Sequence, residues 1–245
     1  MRTTLIAVLS ALLLAGCATR GDVTPPESRS PADPWEPLNR RIDWFNTQVD
    51  SVTLKPAAKA YRAVVPQLAR RGVSNFYGNL WTPLTALNNF LQGKGADGVS
   101  DIGRFLMNSS VGLLGVIDVA TEFGLEEHDE DFGQTLAVWG VGEGPYVVIP
   151  FLGPSTLRDA VLRPANMAVN PLYYYNNTSV RDKLTVLQIV DLRTRLLSAE
   201  DFLEDSSDPY ITLRESYLQN RNYEVHDGNP PMDDDFYEEF EEDFE

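Results

Sequence analysis

Asp131–Asp159 reads DFGQTLAVWGVGEGPYVVIPFLGPSTLRD, an almost uncharged and strongly apolar stretch that contains five glycines and three prolines. Proline interrupts helices, and glycine permits tight turns and close approaches of the backbone. The stretch therefore cannot form one long helix, and we expect it to bend repeatedly. Buried irregular backbone must still pair its polar groups, so these turns require a packed scaffold, a membrane interface, or both around them.

Helical patterns dominate the sequence on either side of this stretch. Alternating spacings of three and four predict an amphipathic helix whose aromatic-rich stripe is formed by Trp35, Leu38, Ile42, Phe45, Val49 and Val52. Further helices are predicted at 55–65, 96–108, 180–203 and 209–223, and another from Thr82-Pro83 to Leu91, with a stop at Gly93. Tyr146–Ile149 is a short β-rich run between prolines. The sequence thus predicts a mainly α fold with little or no β structure.

The amino-terminal end has the pattern of a secretory signal. Residues 1–16 contain one basic residue and an apolar run about half as long as the roughly 20 residues that a bilayer crossing requires. The run ends at Leu14-Ala15-Gly16-Cys17, which resembles the lipobox of bacterial lipoproteins and predicts lipidation of Cys17. Several acyl chains would make a lasting membrane anchor. Ala18, rather than Asp, follows the cysteine, and this sorting pattern indicates the outer membrane.

Composition divides the remaining chain into three parts. Residues 17–33 are proline-rich and polar, which is typical of a flexible tether, and residues 34–223 have the composition of a single domain. Residues 224–245 hold eleven carboxylates without Lys or Arg and are expected to be disordered. Phe236, Phe240 and Phe244 leave open an amphipathic helix that folds on a basic partner, and calcium binding by the tail is a third alternative. The acidity argues against nucleic acid as a partner.

A second apolar passage, Asn108–Ala120, is divided by Gly112 and Gly115. It predicts either a flexible hairpin in contact with lipid or an ordinary buried helix-turn-helix whose glycines permit close packing. Within the first stretch, Trp139 and Tyr146 are aromatic residues of the kind that lie at membrane interfaces.

Catalytic patterns are absent from the sequence. It contains no nucleophile elbow, zinc-protease motif or phosphate-binding loop, and its possible imidazole bases are His128 and His226. The run Glu126–Asp131 has carboxylates and a histidine that could hold a divalent metal, but its spacing matches no defined calcium loop. A solvated acidic turn is the favoured interpretation.

Several longer motifs resemble the MlaA family, also called VacJ, of outer-membrane lipoproteins from Gram-negative bacteria. The motifs are Asp33-Pro34-Trp35-Glu36-Pro37-Leu38-Asn39-Arg40, Val73-Ser74-Asn75-Phe76, Leu91-Gln92-Gly93, Arg104-Phe105-Leu106, Gly112 through Ala120, Phe132 through Asp159, and Ser207-Asp208-Pro209-Tyr210. The resemblance covers nearly the whole body of the chain. The aromatic acidic tail and the histidine-containing turn depart from the family pattern.

The resemblance implies a ring of helices in the inner leaflet of the outer membrane, around an amphipathic channel for phospholipid. Such proteins remove misplaced phospholipids from the outer leaflet, pass them to a soluble periplasmic carrier, work beside trimeric porins and catalyse no reaction. The resemblance also implies a gating hairpin, formed by Asn108, Gly112, Leu113, Leu114, Gly115, Ile117 and Asp118. Trp139, Tyr146 and Phe151 are expected to face lipid or pack within the ring. The resemblance implies no cofactor other than the lipid on Cys17 and transiently bound phospholipid.

Two alternatives of other classes are a structural porin companion and a hydrolase acting on lipid or cell wall. A companion would carry no lipid, and a hydrolase would need a nucleophile paired with a base.

Overall fold

The computed structural model describes residues 30–231 and is mainly helical, with one small sheet. The helices are α1 (Glu36–Val52), α2 (Leu54–Val64), α3 (Gln67–Leu91), α4 (Gly95–Ser110), α5 (Phe132–Val138), α6 (Leu157–Val169), α7 (Thr178–Leu196), α8 (Glu200–Glu204) and α9 (Pro209–Val225). Short 3-10 turns lie at Thr121–Phe123 and Pro171–Tyr174, and the strands are β1 (Tyr146–Ile149) and β2 (Gly153–Thr156). The predicted signal, Cys17, most of the tether and the three tail phenylalanines lie outside the described residues. The mainly α prediction is confirmed.

The prediction that a helix begins at Thr82-Pro83 is wrong, because α3 runs through Pro83 without a break. The ring of Pro83 removes one backbone hydrogen bond, and the hydroxyl of Thr82 donates to the carbonyl of Gly78 at 3.2 Å. Extensive packing of α4 along α3 outweighs the local preference of proline for a helix start. The predicted stop is confirmed: Gly93 has φ 84°, and the Lys94 amide closes the end by donating to the Asn89 carbonyl at 2.8 Å.

The helix predicted at 180–203 is interrupted. α7 ends at Leu196, the buried Leu197 anchors a turn, and α8 begins at Glu200. The turn brings the Glu200 carboxylate to the guanidinium of Arg193 and to Lys55 Nζ at 3.2 Å. Breaking the helix here therefore satisfies charges on α2 and α7 that a continuous helix would separate.

The Gly/Pro-rich stretch forms the two-stranded antiparallel sheet, and α1 covers the open edge of β1. Asn39 donates to the Tyr146 carbonyl at 3.0 Å and accepts from the Val148 amide at 3.0 Å. Seven residues along α1, Asn46 donates to the Ile149 carbonyl at 3.0 Å and accepts from the Phe151 amide at 2.8 Å. Two side-chain amides thus take the place of a third strand and satisfy an edge that would otherwise be unpaired.

Helix α9 is fastened to this sheet region by two arginines. Arg214 contacts Asp33, which is fully buried and also accepts hydrogen bonds from Asn39 and Tyr210. Arg221, 6% exposed, bridges Asp131 and Asp159 at 2.8 Å each. Burial opposes the ionisation of Asp159, but hydrogen bonding and attraction to Arg221 outweigh it and lower the pKa of Asp159.

The packing contacts form a closed circuit, as expected for a ring of helices. Helix α1 contacts α2, α2 packs on α7, and α7 contacts α3. Helix α3 then contacts α6, α6 contacts β1, and β1 returns to α1. The Gly/Pro-rich stretch supplies the part of this circuit that carries the sheet and α6.

The interpretation of Glu126–Asp131 as a solvated turn is wrong for half of its residues. Glu130 is buried and accepts from Lys94 at 2.8 Å, and His128 contacts the buried Asp101 at 2.9 Å. Asp131 caps α5 by accepting from the Gln134 amide at 2.8 Å. Glu126, Glu127 and Asp129 are exposed as expected. Two carboxylates and the histidine of this run thus have separate anchoring roles, and the other three carboxylates are exposed.

Candidate lipid-contacting surface and hairpin

The described part of the chain has an inverted distribution of polarity. Within residues 30–231, 21 polar or charged residues are buried, against ten hydrophobic ones, and 38 large hydrophobic residues are exposed. A water-exposed protein buries mainly apolar side chains, so the described surface is unusually apolar and suited to contact with hydrocarbon. Among the described helices, none has both the length and the hydropathy required to cross a membrane.

The apolar stripe predicted on α1 illustrates this inversion. Trp35, Leu38 and Val52 are 44%, 57% and 76% exposed, while Asn39 on the same helix is 2% exposed. The periodicity therefore predicted the helix correctly, but much of its apolar stripe faces outward.

An open apolar groove of about 280 Å³ lies between α3 and α4. Its lining includes Pro83, Leu87, Phe90, Ile102 and Phe105. Phenylalanine rings and aliphatic side chains dominate the lining of this groove, which suits hydrocarbon better than water.

The three aromatic residues singled out from the sequence occupy two different environments. Tyr146 is fully buried, with its ring 6.3 Å from that of Tyr210 in an edge-to-face arrangement. Trp139 is 58% exposed and donates from Nε1 to the Leu91 carbonyl at 3.1 Å, and Phe151 is 69% exposed. Tyr146 thus packs within the ring, whereas Trp139 and Phe151 present apolar surface outward.

The segment from Val111 to Asp118 is an exposed hairpin rather than the buried helix-turn-helix considered as an alternative. Its large apolar residues are 43–68% exposed: Val111, Leu113, Leu114, Val116 and Ile117. Leu113, Leu114 and Gly115 follow one another with φ 53°, 61° and 91°. A leucine in this left-handed region costs roughly 1–2 kcal/mol, so the tip holds strain at the same place where it exposes apolar surface.

A polar clasp holds the base of the hairpin against α4. The side-chain oxygen of Asn108 accepts from the amides of Val119 at 2.8 Å and Ala120 at 2.9 Å, and its nitrogen donates to Asp118 at 2.9 Å. Arg104, 5% exposed, reaches Asp118 at 3.2 Å and Thr121 at 3.1 Å. The base is therefore fixed, so any movement of the hairpin would have to occur beyond it, at residues 111–117, where the Leu114 and Gly115 amides donate to the carbonyls of Ser109 and Asn108.

The other side of the hairpin packs against α3. At two positions the packing is so close that a glycine there has no room for a side chain. A Cβ added at Gly115 would stand 2.4 Å from that of Asn79, and one added at Gly72 would stand 2.9 Å from Val116 Cγ1. Asn75 donates to the Val116 carbonyl at 3.3 Å. Contact with α3 is thus made by small residues and one hydrogen bond, which is a weak attachment compared with the base.

We expect acid to loosen the base of the hairpin. Partial burial opposes the ionisation of Asp118, but hydrogen bonds from Thr121 and Asn108 and the charge of Arg104 prevail and lower the pKa of Asp118. Ionised Asp118 therefore stabilises the fold above the carboxyl's unfolded pKa of about 3.9, and this contribution is lost as the pH falls through the lower folded pKa. Hydrogen exchange of residues 118–121, corrected for intrinsic rates, should show protection lost below about pH 4. Asp118→Asn should abolish this acid step, and an unchanged step would contradict the assignment.

The structure brings the predicted hairpin residues into one unit and leaves Trp139, Tyr146 and Phe151 elsewhere in the ring. Reasoning from residue patterns missed the bridging roles of Asn39, Asn46 and Arg221. The seven-residue spacing of Asn39 and Asn46, on one face of a helix with an apolar stripe, is the signal that could have found the first two. No group of three or more His, Cys, Asp or Glu is placed to hold a metal within the part of the chain that the structure covers.

Comparison with known proteins gives consistent matches over most of the chain. A family model described as MlaA lipoprotein matches residues 31–224. The intermembrane phospholipid transport system lipoprotein MlaA of Escherichia coli (strain K12) is 40% identical over 226 residues, which cover 90% of this chain and 87% of that protein. The protein of the same name from Haemophilus influenzae is 34% identical, with coverage of 93% and 92%.

A solved structure described as "Structural basis for maintenance of bacterial outer membrane lipid asymmetry" has the same fold. It aligns with a TM-score of 0.69 at 37% sequence identity and covers 80% of this chain and 100% of the solved chain. Together with the family model and the relatives, this places the chain in the MlaA lipoprotein family.

Proposed function

We propose that this protein is a phospholipid transport component that preserves the lipid asymmetry of the outer membrane. It removes mislocalised phospholipid from the outer leaflet through an amphipathic channel in the ring and hands it to a soluble periplasmic carrier, beside a trimeric porin. Cys17 carries the acyl anchor, which holds the chain at the periplasmic leaflet of a Gram-negative outer membrane. The names of its relatives support the lipid class and the process.

The observation that carries this proposal is a ring of helices that buries many polar side chains and leaves many large apolar ones exposed. Hydrocarbon around the ring replaces the water that the exposed apolar residues would otherwise meet, which is favourable by about 25 cal/mol per Å² of apolar surface. A charged headgroup needs polar groups along its path, because a headgroup crossing pure hydrocarbon would lose its hydration at high cost. A ring of this polarity separates the two parts of a phospholipid.

The hairpin is proposed as the gate of this path. Its base is clasped to α4, its tip is strained, and its contact with α3 relies on Gly72, Asn75 and Gly115. Burying Leu113 and Leu114 in hydrocarbon is worth about 1.5–3 kcal/mol each. This gain in free energy is comparable with the cost of the left-handed backbone at the two leucines. Contact with lipid can therefore shift the hairpin between a conformation that has this backbone and one that does not.

Lipid analysis tests the proposal directly. Full-length protein extracted in mild detergent should copurify with phospholipid in near-stoichiometric amount, measured by mass spectrometry after extensive washing. An unrelated outer-membrane lipoprotein, extracted in parallel, controls for carry-over of bulk lipid. Protein that carries no more lipid than this control would favour the structural porin companion.

Replacing both histidines separates transport from hydrolysis. We expect the double variant His128→Gln and His226→Gln to keep outer-leaflet phospholipid as low as the wild type does, in a strain that lacks its own family member. Glutamine retains a hydrogen-bond donor for the buried Asp101, which contacts His128 at 2.9 Å. Loss of activity in correctly folded protein, judged by an unchanged unfolding midpoint, would instead favour a hydrolase that uses an imidazole base.

A further inference from the structure

The positive charges of this acidic protein are segregated along the chain. The formal net charge is −16, yet residues 51–96 contain six Lys or Arg and neither Asp nor Glu. This segment forms α2, α3 and the start of α4. One segment of the chain thus has a charge opposite to that of the protein as a whole.

The densest part of this segment is the junction of α2 and α3, residues 59–71, here called the basic corner. Lys59, Arg62 and Arg71 are exposed, and no hydrogen bond or ion pair joins them to another residue in the 30–231 range. Arg70 has a structural role instead, because its Nε donates to the Val65 carbonyl at 3.2 Å across the junction. Three cations on a braced corner therefore remain available to a ligand.

Apolar side chains accompany these cations. Val64 and Leu68 flank the turn at Val65-Pro66, and each is 80% exposed. The exposed cations supply attraction to anions, while the two aliphatic side chains gain nothing from an acidic protein surface or from free phosphate. Cations close in sequence to exposed aliphatic residues, as at this corner, are typical of segments that lie in a membrane interface.

We propose that the basic corner binds the phosphate groups of anionic phospholipids at the membrane surface, with Val64 and Leu68 entering the apolar layer beneath. Arginine suits this role because its planar guanidinium can donate two parallel hydrogen bonds to one phosphate. The corner then orients the ring against the headgroup layer and favours anionic lipid near it. This inference rests on the proposed membrane setting but does not require that the ring transports lipid.

Binding of defined lipids to the purified full-length chain tests the corner. Detergent-solubilised protein is titrated with phosphatidylglycerol and, separately, with phosphatidylcholine, and bound lipid is counted by native mass spectrometry. We expect the wild type to prefer phosphatidylglycerol. Each arginine near an anionic surface contributes about fivefold in affinity, so Arg62→Gln with Arg71→Gln should lower the affinity for phosphatidylglycerol by about 25-fold. Affinity for phosphatidylcholine should change little.

Arg181→Gln with Lys183→Gln is the control, since it removes the same charge from the first turns of α7, outside residues 59–71. It should retain the preference. Val64→Ser with Leu68→Ser should weaken binding of both lipids, because it removes the apolar contact and leaves the cations.

An unchanged preference in the Arg62/Arg71 variant would overturn the proposal and leave an acidic protein as the better partner for this surface. An equal loss in the α7 control would overturn it too, because net charge alone would then explain the binding. Inorganic phosphate that competes at millimolar concentration, together with no effect of the Val64/Leu68 change, would show a simple anion site and also contradict a lipid interface. Failure of transport with lipid preference intact would affect only the proposed function.

Discussion

Joining residues 72 and 116 by a disulfide should stop phospholipid removal. The double variant Gly72→Cys with Val116→Cys ties the hairpin to α3, so that residues 111–117 can no longer move while the base remains clasped to α4. Under oxidising conditions we expect outer-leaflet phospholipid to rise toward the level of a strain without the protein, with activity reduced at least about tenfold if gating limits transport. Accessibility of phospholipid to an externally added phospholipase measures this.

The geometry favours formation of this bond. A Cβ at position 72 would lie 2.9 Å from Val116 Cγ1, which marks where the sulfur of a cysteine at position 116 would stand, and a Cβ lies about 3 Å from the opposite sulfur in a disulfide. The sequence contains a single cysteine, at position 17, so no other thiol of the body competes. Addition of a reductant should restore activity, and Gly72→Ser with Val116→Ser provides a control of similar size without the bond. Normal asymmetry in the fully oxidised variant would refute the gating hairpin.

Removing the side chain of Asn39 should cost more stability than removing any comparable exposed asparagine. Asn39→Ala leaves the Val148 amide, the Tyr146 carbonyl and the buried Asp33 carboxylate each without one partner. Unsatisfied buried groups cost about 1–3 kcal/mol each, so we expect a loss of about 3–5 kcal/mol in the free energy of unfolding. The unfolding midpoint of protein in mild detergent, followed by circular dichroism, would register this change.

Asn46→Ala is the matched control for this experiment. Asn46 makes the same pair of contacts to the next part of the strand edge, but it is only partly buried, and water can replace it at the Phe151 amide. The expected loss is about 1 kcal/mol. Equal losses of unfolding free energy in the two variants would show that the deeper burial of the sheet edge at Asn39 adds nothing to stability.

Much of the helical framework could be predicted from the sequence because it depends on local patterns. The spacing of apolar residues located α1, and the Asp208-Pro209 pair located the start of α9, where Asp208 accepts from the Tyr210 amide at 3.1 Å. Periodicity defines a stripe but not the medium that the stripe faces. The outward orientation of Trp35 and Leu38 therefore could not be derived from the spacing alone.

The features that could not be predicted from the sequence depend mostly on contacts between distant segments. Asn39 and Val148 are 109 residues apart, and nothing local to either residue indicates the other. Pro83 was misread because α4 stabilises α3 across it. In the hairpin, the glycines correctly marked a turn, but Leu113 and Leu114 adopt a left-handed backbone that leucine rarely takes, so its shape followed from no propensity.

The apolar exterior of the ring also has a consequence for how the protein reaches its destination. In the proposed outer-membrane location, the chain would cross an aqueous compartment before insertion, where exposed residues such as Trp44 and Phe151, 65% and 69% accessible, would adhere to one another. The acyl chains proposed on Cys17 would make the first attachment to the bilayer, because they can insert before the ring does. Once the ring is seated, its own exterior contributes a second hold on the bilayer. Delivery and retention would thus depend on different parts of the same molecule.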